Sequence, residues 1–302
     1  MTLSLRNERA QVRDGWKSLF FILAAMACFV IVGVVGHSLP ASVKPFAPSA
    51  ILITVMGLAI TYGATRLEGS RVADLGLRLD GRFLRESVLG VLAGAAMIGV
   101  SAAAVMLWAD VRLSPMAGPT WAVELKLVAT FLGGALFEEL LFRGFAFQRA
   151  LRGMGVWPAT VLFGLLFCIA HLPGNLEVGP ALLATAMANL FANGVLQTVL
   201  YLRTGSLALP IGLHFGWNLL QQSLGFGVSG ISSHQAWFQV HFGQQPTWLS
   251  GGEFGLEASI FALVLQAALI VLLVATGRRA LAARPASPVP SQGLSHATHN
   301  VA

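Results

Sequence analysis

The sequence predicts an all-α polytopic membrane protein with about eight transmembrane helices, and two observations support that fold class. The first is composition: 56% of the 302 residues are hydrophobic and only 11% are charged, whereas soluble domains carry about 25% charged residues. The second is that apolar runs of roughly 20 residues, the length needed to cross a bilayer, recur along the chain. These runs lie at residues 18–38, 47–65, 88–108, 127–147, 156–172, 181–202, 206–224 and 257–276.

Three of the runs need a separate justification. The run at 18–38 is longer than the ~7–15-residue apolar core of a signal peptide, so we expect it to be a retained first helix. The runs at 156–172 and 206–224 carry the weakest hydrophobic signal, because each is short or interrupted by Gly, Pro and polar residues.

Lysine and arginine residues are concentrated in alternate connecting segments, which predicts the orientation of the chain. Fifteen fall on one side, three fall on the other and Arg143 lies within a run. Because positive residues are enriched in cytoplasmic loops, we expect an integral plasma (inner) membrane protein with both termini cytoplasmic. The fifteen are Arg6, Arg9, Arg13, Lys17, Arg66, Arg71, Arg78, Arg82, Arg85, Arg149, Arg152, Arg203, Arg278, Arg279 and Arg284, and the three are Lys44, Arg112 and Lys126.

Charge and cysteine content exclude two other classes of protein. The net charge of +6 does not indicate nucleic-acid binding, because the basic residues lie at the ends of apolar runs on one side. That placement is expected for topology and for contact with the anionic lipids of the bilayer. Cys28 and Cys168 both lie inside predicted helices, so no disulfide framework is indicated.

Five ionisable side chains fall at membrane depth, where each costs a few kcal/mol on insertion scales and is a functional candidate. They belong to the fourth, fifth and seventh runs, which could converge on one site. The five are Glu138, Glu139, Arg143, His171 and His214.

The fourth run combines two glutamates with one arginine. Glu139 and Arg143 are four residues apart, so they share a helix face and can form an ion pair. This pair would neutralise both charges in an apolar setting. Glu138 lies about 100° further round the helix, which leaves its carboxylate free to accept or donate a proton.

The two histidines each have a partner four residues away on the same helix face. His171 follows Phe167, and His214 precedes Asn218. A carboxylate with a histidine can activate water, and a second histidine with an amide can donate hydrogen bonds to a developing oxyanion. The set therefore contains what hydrolysis needs without a Ser or Cys nucleophile, although Cys168, three residues before His171, is an alternative nucleophile.

Other interpretations of these polar residues stay open. Two glutamates and two histidines could bind zinc through three protein ligands, although the HExxH pattern is absent. No cofactor is therefore expected, with zinc as the alternative. The charges could also form a proton relay in a transporter or the binding site of a non-catalytic scaffold. Asn189, Asn193 and Gln197 share one face of the sixth run, as polar contacts between helices or as the lining of a substrate channel.

Three motifs occur in order within the predicted helices. "EELLFR" fits EExxxR, "FCIAH" fits FxxxH and "HFGWN" fits HxxxN. With the preceding "YLRTGSLALPIGLH", this pattern resembles the CPBP family, which includes the type II CAAX prenyl endopeptidases and the Abi and lysostaphin-resistance-like proteins. The resemblance covers residues 127–222.

The resemblance implies an intramembrane glutamic endopeptidase with an eight-helix fold. It implies that Glu138 and His171 activate water, that His214 and Asn218 form the oxyanion hole, and that Glu139 and Arg143 support the first-motif helix. The substrates would be membrane proteins or peptides, and the resemblance does not identify them.

Together these expectations divide the chain into five parts. They are a basic cytoplasmic arm (1–17), three helices with their loops (18–126), a CPBP-like catalytic core (127–222), an outer loop with the last helix (223–284) and a disordered tail (285–302).

Overall fold

The computed structural model describes residue 5 and residues 12–38, 49–172, 178–231 and 235–282, so the predicted tail and most of the basic arm lie outside the described residues. Helices dominate this part of the chain. They are α1 Asp14–Ser38, α2 Ser49–Leu67, α3 Gly81–Trp108, α4 Trp121–Phe142, α5 Phe145–Met154, α6 Val156–His171, α7 Pro180–Thr204, α8 Ala208–Ser223, α9 Thr247–Ser250 and α10 Ile260–Ala282.

A helix occupies each of the eight predicted segments, which confirms the all-α membrane fold class. Within the described residues, four stretches are long and apolar enough to cross a membrane, and two shorter helices are also apolar. The α4 helix departs from this pattern because it carries charged residues, and α8 because it is short and contains His214, Asn218 and two glutamines. The four stretches are Asp14–Gly36, Gly81–Trp108, Pro180–Thr204 and Ile260–Gly277, and the shorter two are Ile51–Leu67 and Val156–His171.

The fourth predicted helix ends before the apolar run at 127–147 does. The α4 helix ends at Phe142, Arg143 is its C-cap, and α5 begins at Phe145. Gly144 makes the break, because a Cβ atom there would collide with the carbonyl oxygen of Leu140. Arg143 therefore lies at a helix end, where its side chain can turn towards the neighbouring helices.

The α3 and α8 helices cross at very short distance, and this crossing positions α8. A Cβ atom on Gly94 would collide with the carbonyl oxygen of Leu213, and one on Gly212 would collide with that of Ser87. Small residues at such crossings let two backbones approach closely in a membrane. His214 is two residues from Gly212, so this contact also fixes the height of the histidine.

The structure also contains two short strands and three short helical turns that the sequence analysis did not predict. β1 (Val111–Pro115) pairs antiparallel with β2 (Phe238–Phe242), with Val111 opposite Phe242. The chain then forms α9 and 3-10 turns at 252–254 and 256–258 before α10. We call residues 235–259 the cover segment, since its buried side chains, including Phe254 and Leu256, pack onto the helices.

Candidate active site

Glu139 and Arg143 form a buried ion pair at the end of α4. The Arg143 Nη1 atom donates to Glu139 Oε1 at 3.1 Å, and Nη2 donates to the carbonyl oxygen of Gly194 on α7 at 2.9 Å. Both side chains are almost fully buried. The guanidinium also lies 5.4 Å from the centre of the Phe167 ring. The pair predicted from the spacing is present, and it joins α4 to α6 and α7.

His171 is the last residue of α6, and its ring is held by that helix. Its Nδ1 atom lies 2.8 Å from the carbonyl oxygen of Phe167, and its ring packs at 4.5 Å against the Phe167 ring. A carbonyl oxygen only accepts hydrogen bonds, so Nδ1 carries the proton and Nε2 is left as the outward-facing nitrogen.

His214 is held by Glu139, for which the sequence predicted only Arg143 as a partner. Its Nδ1 atom lies 3.1 Å from Glu139 Oε1, the same oxygen that accepts from Arg143. Because a carboxylate accepts, Nδ1 again carries the proton and Nε2 faces outward. Glu139 therefore orients a histidine as well as neutralising an arginine.

Glu138 meets both histidines. Its Oε2 atom lies 3.8 Å from His171 Nε2 and 3.8 Å from His214 Nε2. These separations are too long for a direct hydrogen bond and suit one bridging water. The Glu138 side chain is 27% exposed, unlike its buried neighbour Glu139. Three groups that the motifs placed on different helices thus converge on one point.

A small cavity of about 20 Å³ adjoins the two imidazole rings. It is large enough for one water-sized group. Glu138 is not among its lining residues and contacts the imidazole rings instead. The lining residues are Phe167, His171, Asn189, Leu190, Asn193, Leu213, His214, Trp217, Asn218, Ser229, Glu257 and Gln266.

Residues 120–220 match the family model of the Rce1-like type II CAAX prenyl endopeptidases. This segment of the chain is therefore similar to the CAAX protease family. This confirms the resemblance drawn from the three motifs, and the matched segment contains all six predicted site residues. A comparison with curated proteins gives no match. At a general level, the family supports an intramembrane endopeptidase, a hydrolase that acts on membrane-associated substrates.

Three cavity residues, Ser229, Glu257 and Gln266, lie outside the matched segment 120–220. Glu257 and Gln266 come from the cover segment and from α10. In the sequence Glu257 is the first residue of the apolar run at 257–276, and the structure places it in the cavity wall with 8% of its surface exposed. The only sign of Glu257 in the sequence was a single carboxylate at the start of an apolar run. An ordinary residue at the membrane interface gives the same sign.

The described residues do not form a metal-ligand cluster. Among the residues that the structure describes, no group of three or more His, Cys, Asp or Glu side chains is arranged to hold a metal ion. Cys168, the alternative nucleophile, donates to the carbonyl oxygen of Met187 at 3.4 Å.

Proposed function

We propose that this protein is an intramembrane endopeptidase that hydrolyses peptide bonds of membrane-associated proteins or peptides with a water molecule activated by Glu138 and His171. The observation that carries the proposal is the convergence of Glu138 Oε2 with both Nε2 atoms at 3.8 Å. A water between them can give its proton to the carboxylate while its oxygen attacks a carbonyl carbon.

The surroundings of the two histidines support different roles for them. The Nδ1 atom of His171 faces a neutral carbonyl, which suits a neutral ring whose Nε2 lone pair accepts a proton or orients the water. The Nδ1 atom of His214 faces the carboxylate of Glu139. With Glu138 on its other side, His214 has the counter-charges that an imidazolium needs, and its Nε2–H can then donate to an oxyanion.

Asn218 completes the proposed oxyanion hole. It lies one helical turn after His214 on α8 and lines the same cavity. As the water oxygen bonds to the substrate carbon, the carbonyl oxygen gains negative charge and accepts from His214 Nε2 and the Asn218 amide. When the carbon–nitrogen bond breaks, the proton held by Glu138 passes to the departing amine, which restores the carboxylate.

Glu139 and Arg143 are positioning residues in this scheme. Arg143 connects α4 to the Gly194 carbonyl of α7, and Glu139 connects Arg143 to His214 of α8. The ion pair therefore holds the general base and the oxyanion donor at a fixed separation.

A zinc-dependent peptidase that uses the same residues is the second candidate, because Glu138 Oε2 lies 3.8 Å from the Nε2 atoms of both histidines, although the described residues are not arranged as a metal-ligand cluster. Glu138, His171 and His214 would then be the ligands, and the metal would polarise the water. Cleavage that survives exhaustive chelation would exclude this candidate, whereas loss of cleavage that zinc restores would establish it.

Mutation in cells distinguishes the proposed peptidase from a non-catalytic scaffold or a transporter. Quantitative membrane proteomes are compared between cells with the wild-type protein, the Glu138→Ala variant and a Glu124→Ala control at the far end of α4. We expect one set of uncleaved precursors to accumulate only with Glu138→Ala. Identical proteomes and phenotypes for all three proteins would favour the scaffold.

A further inference from the structure

Glu257 brings a carboxylate into the cavity from outside the matched segment 120–220. The backbone N–H of Ser229 donates to its Oε1 atom, which fixes the side chain in the cavity wall. Its carboxylate lies in the electrostatic field of His171 and His214. The cover segment therefore contributes a carboxyl group to the surroundings of the two histidines.

Gln266 places a second acceptor in the same wall. Asn189 donates its amide hydrogens to the carbonyl oxygens of Thr185 and Ser259, at 3.0 and 3.1 Å. Its Oδ1 atom must therefore be the acceptor for Gln266 Nε2 at 3.0 Å. This chain of bonds fixes the orientation of the Gln266 amide.

Because Nε2 of Gln266 donates to Asn189, the remaining polar atom of the Gln266 amide is its oxygen, Oε1. Gln266 Oε1 is buried and has no hydrogen-bond partner among the described residues, and the Gln266 side chain is 1% exposed. A buried acceptor without a donor is costly, so this wall of the cavity is complementary to a ligand that donates.

No lysine or arginine of the chain donates a hydrogen bond to these acceptors within the described cavity. Its lining residues include no lysine or arginine, and Arg143 is engaged by Glu139 and Gly194. The cavity of about 20 Å³ admits a group the size of water. An ammonium group has that size and donates three hydrogen bonds, whereas a planar guanidinium is larger.

We propose that Glu257 and Gln266 form an acceptor subsite that binds the primary ammonium group of a substrate lysine close to the scissile bond. The proposal rests on the peptidase function proposed above, and it narrows the substrate class. A charge-assisted hydrogen bond to a buried carboxylate contributes enough to favour lysine by about 10-fold or more.

The test uses purified protein and a library of N-acetylated hydrophobic fluorogenic peptides, in which one position at a time is lysine, arginine or norleucine. The wild-type protein is expected to show a kcat/KM for lysine about 10-fold above norleucine at one position, and arginine should not replace lysine. In Glu257→Gln the ratio of lysine to norleucine should fall to about 1. Unacetylated norleucine peptides show whether a free N-terminal amine can occupy the same subsite.

Two further variants keep the test decisive. Glu253→Gln removes an exposed carboxylate from the same cover segment and should retain the wild-type preference. Gln266→Met removes the second acceptor and should reduce the preference even if Glu257→Gln does not fold. Cleavage without a lysine preference, or a preference that neither site variant changes, overturns the subsite alone. Absence of cleavage of every peptide by the wild-type protein overturns the peptidase function and the subsite together.

Discussion

Glu138 and Glu139 are adjacent in the chain, yet their carboxylates have different surroundings. Glu139 is fully buried and contacts Arg143 and His214. Glu138 is 27% exposed, and its Oε2 atom has no hydrogen-bond partner among the described residues. The Glu139 carboxylate is therefore fixed by its contacts, and the Glu138 carboxylate is available for catalysis.

This difference predicts effects of different size on stability. Glu139→Gln leaves Arg143 buried without its counter-charge, which should lower the free energy of unfolding by about 3–5 kcal/mol. Glu138→Gln removes a carboxylate with no strong partner and should change that free energy by less than about 1 kcal/mol. Unfolding of the purified variants in mixed micelles measures both. Equal destabilisation by the two substitutions would contradict the division of roles.

Local spacing predicted some of these contacts and could not predict others. The Glu139–Arg143 pair and the shared faces of each motif follow from helical geometry. The contact between Glu139 and His214 joins residues 75 positions apart, so it depends on how α4 and α8 rotate relative to each other. Glu257 lies in the cavity wall because of the way the cover segment folds, and no periodic pattern in the sequence predicts that fold.

At the scale of helices, the crossing of α3 and α8 decides where His214 lies. Gly212→Val would force the two backbones apart, because even a Cβ atom there collides with the Ser87 carbonyl oxygen. We expect a loss of about 1–3 kcal/mol in stability and a larger loss of peptidase activity as His214 moves.

Gly63→Val is the matched control for this substitution, since a Cβ atom on Gly63 has no neighbour within 4 Å. Thermal unfolding and peptide cleavage of both variants provide the measurement. Normal cleavage by Gly212→Val would show that the crossing does not position the site.

A second contact between elements joins α1, α2 and α5 through Glu68. Lys17 Nζ lies 2.8 Å from Glu68 Oε1, and Arg149 Nε donates to Glu68 Oε2 at 2.8 Å. Burial acts to raise the pKa of the Glu68 carboxyl, but the hydrogen bonds from Arg149 and Lys17 outweigh burial, so the pKa lies below its ordinary value.

A lowered pKa in the folded protein makes this contribution dependent on pH. The stabilisation is fully present above the ordinary pKa of 4.5 and is lost as the pH falls through the folded value. Wild-type protein should thus exceed Glu68→Gln in unfolding free energy at pH 7, by about 3 kcal/mol, and the gap should narrow below pH 4.5. A gap that stays constant down to strongly acidic pH would show that Glu68 is not charged in the fold.

Element boundaries show where the sequence stopped being informative. The hydrophobic runs predicted a helix in every segment, because transmembrane length and apolarity are properties of a continuous stretch. The end of α4 at Phe142 depends on Gly144 meeting its own helix, and the β1–β2 pairing joins segments more than 120 residues apart. Neither feature changes the hydropathy of the chain.

For the molecule as a whole, we predict the orientation in the membrane from the distribution of positive charge. Among the described arginines of the charged side, Arg71 and Arg78 lie in the connection after α2, Arg149 and Arg152 lie in α5, and Arg203 lies in the last turn of α7. We predict that green fluorescent protein fused at either terminus is fluorescent and that alkaline phosphatase fused there is inactive. Alkaline phosphatase inserted near Lys44 should be active, and the reverse pattern would contradict the predicted orientation.

The account's central claim is that Glu138 is the general base of a peptidase. The most direct measurement is the single-turnover rate of peptide cleavage by purified wild-type protein, Glu138→Gln and the Glu124→Gln control. General-base catalysis contributes about 10²–10⁴-fold, so we expect Glu138→Gln to lose about 10³-fold in rate while it unfolds like the wild type. A rate for Glu138→Gln within a few-fold of wild type would contradict the mechanism.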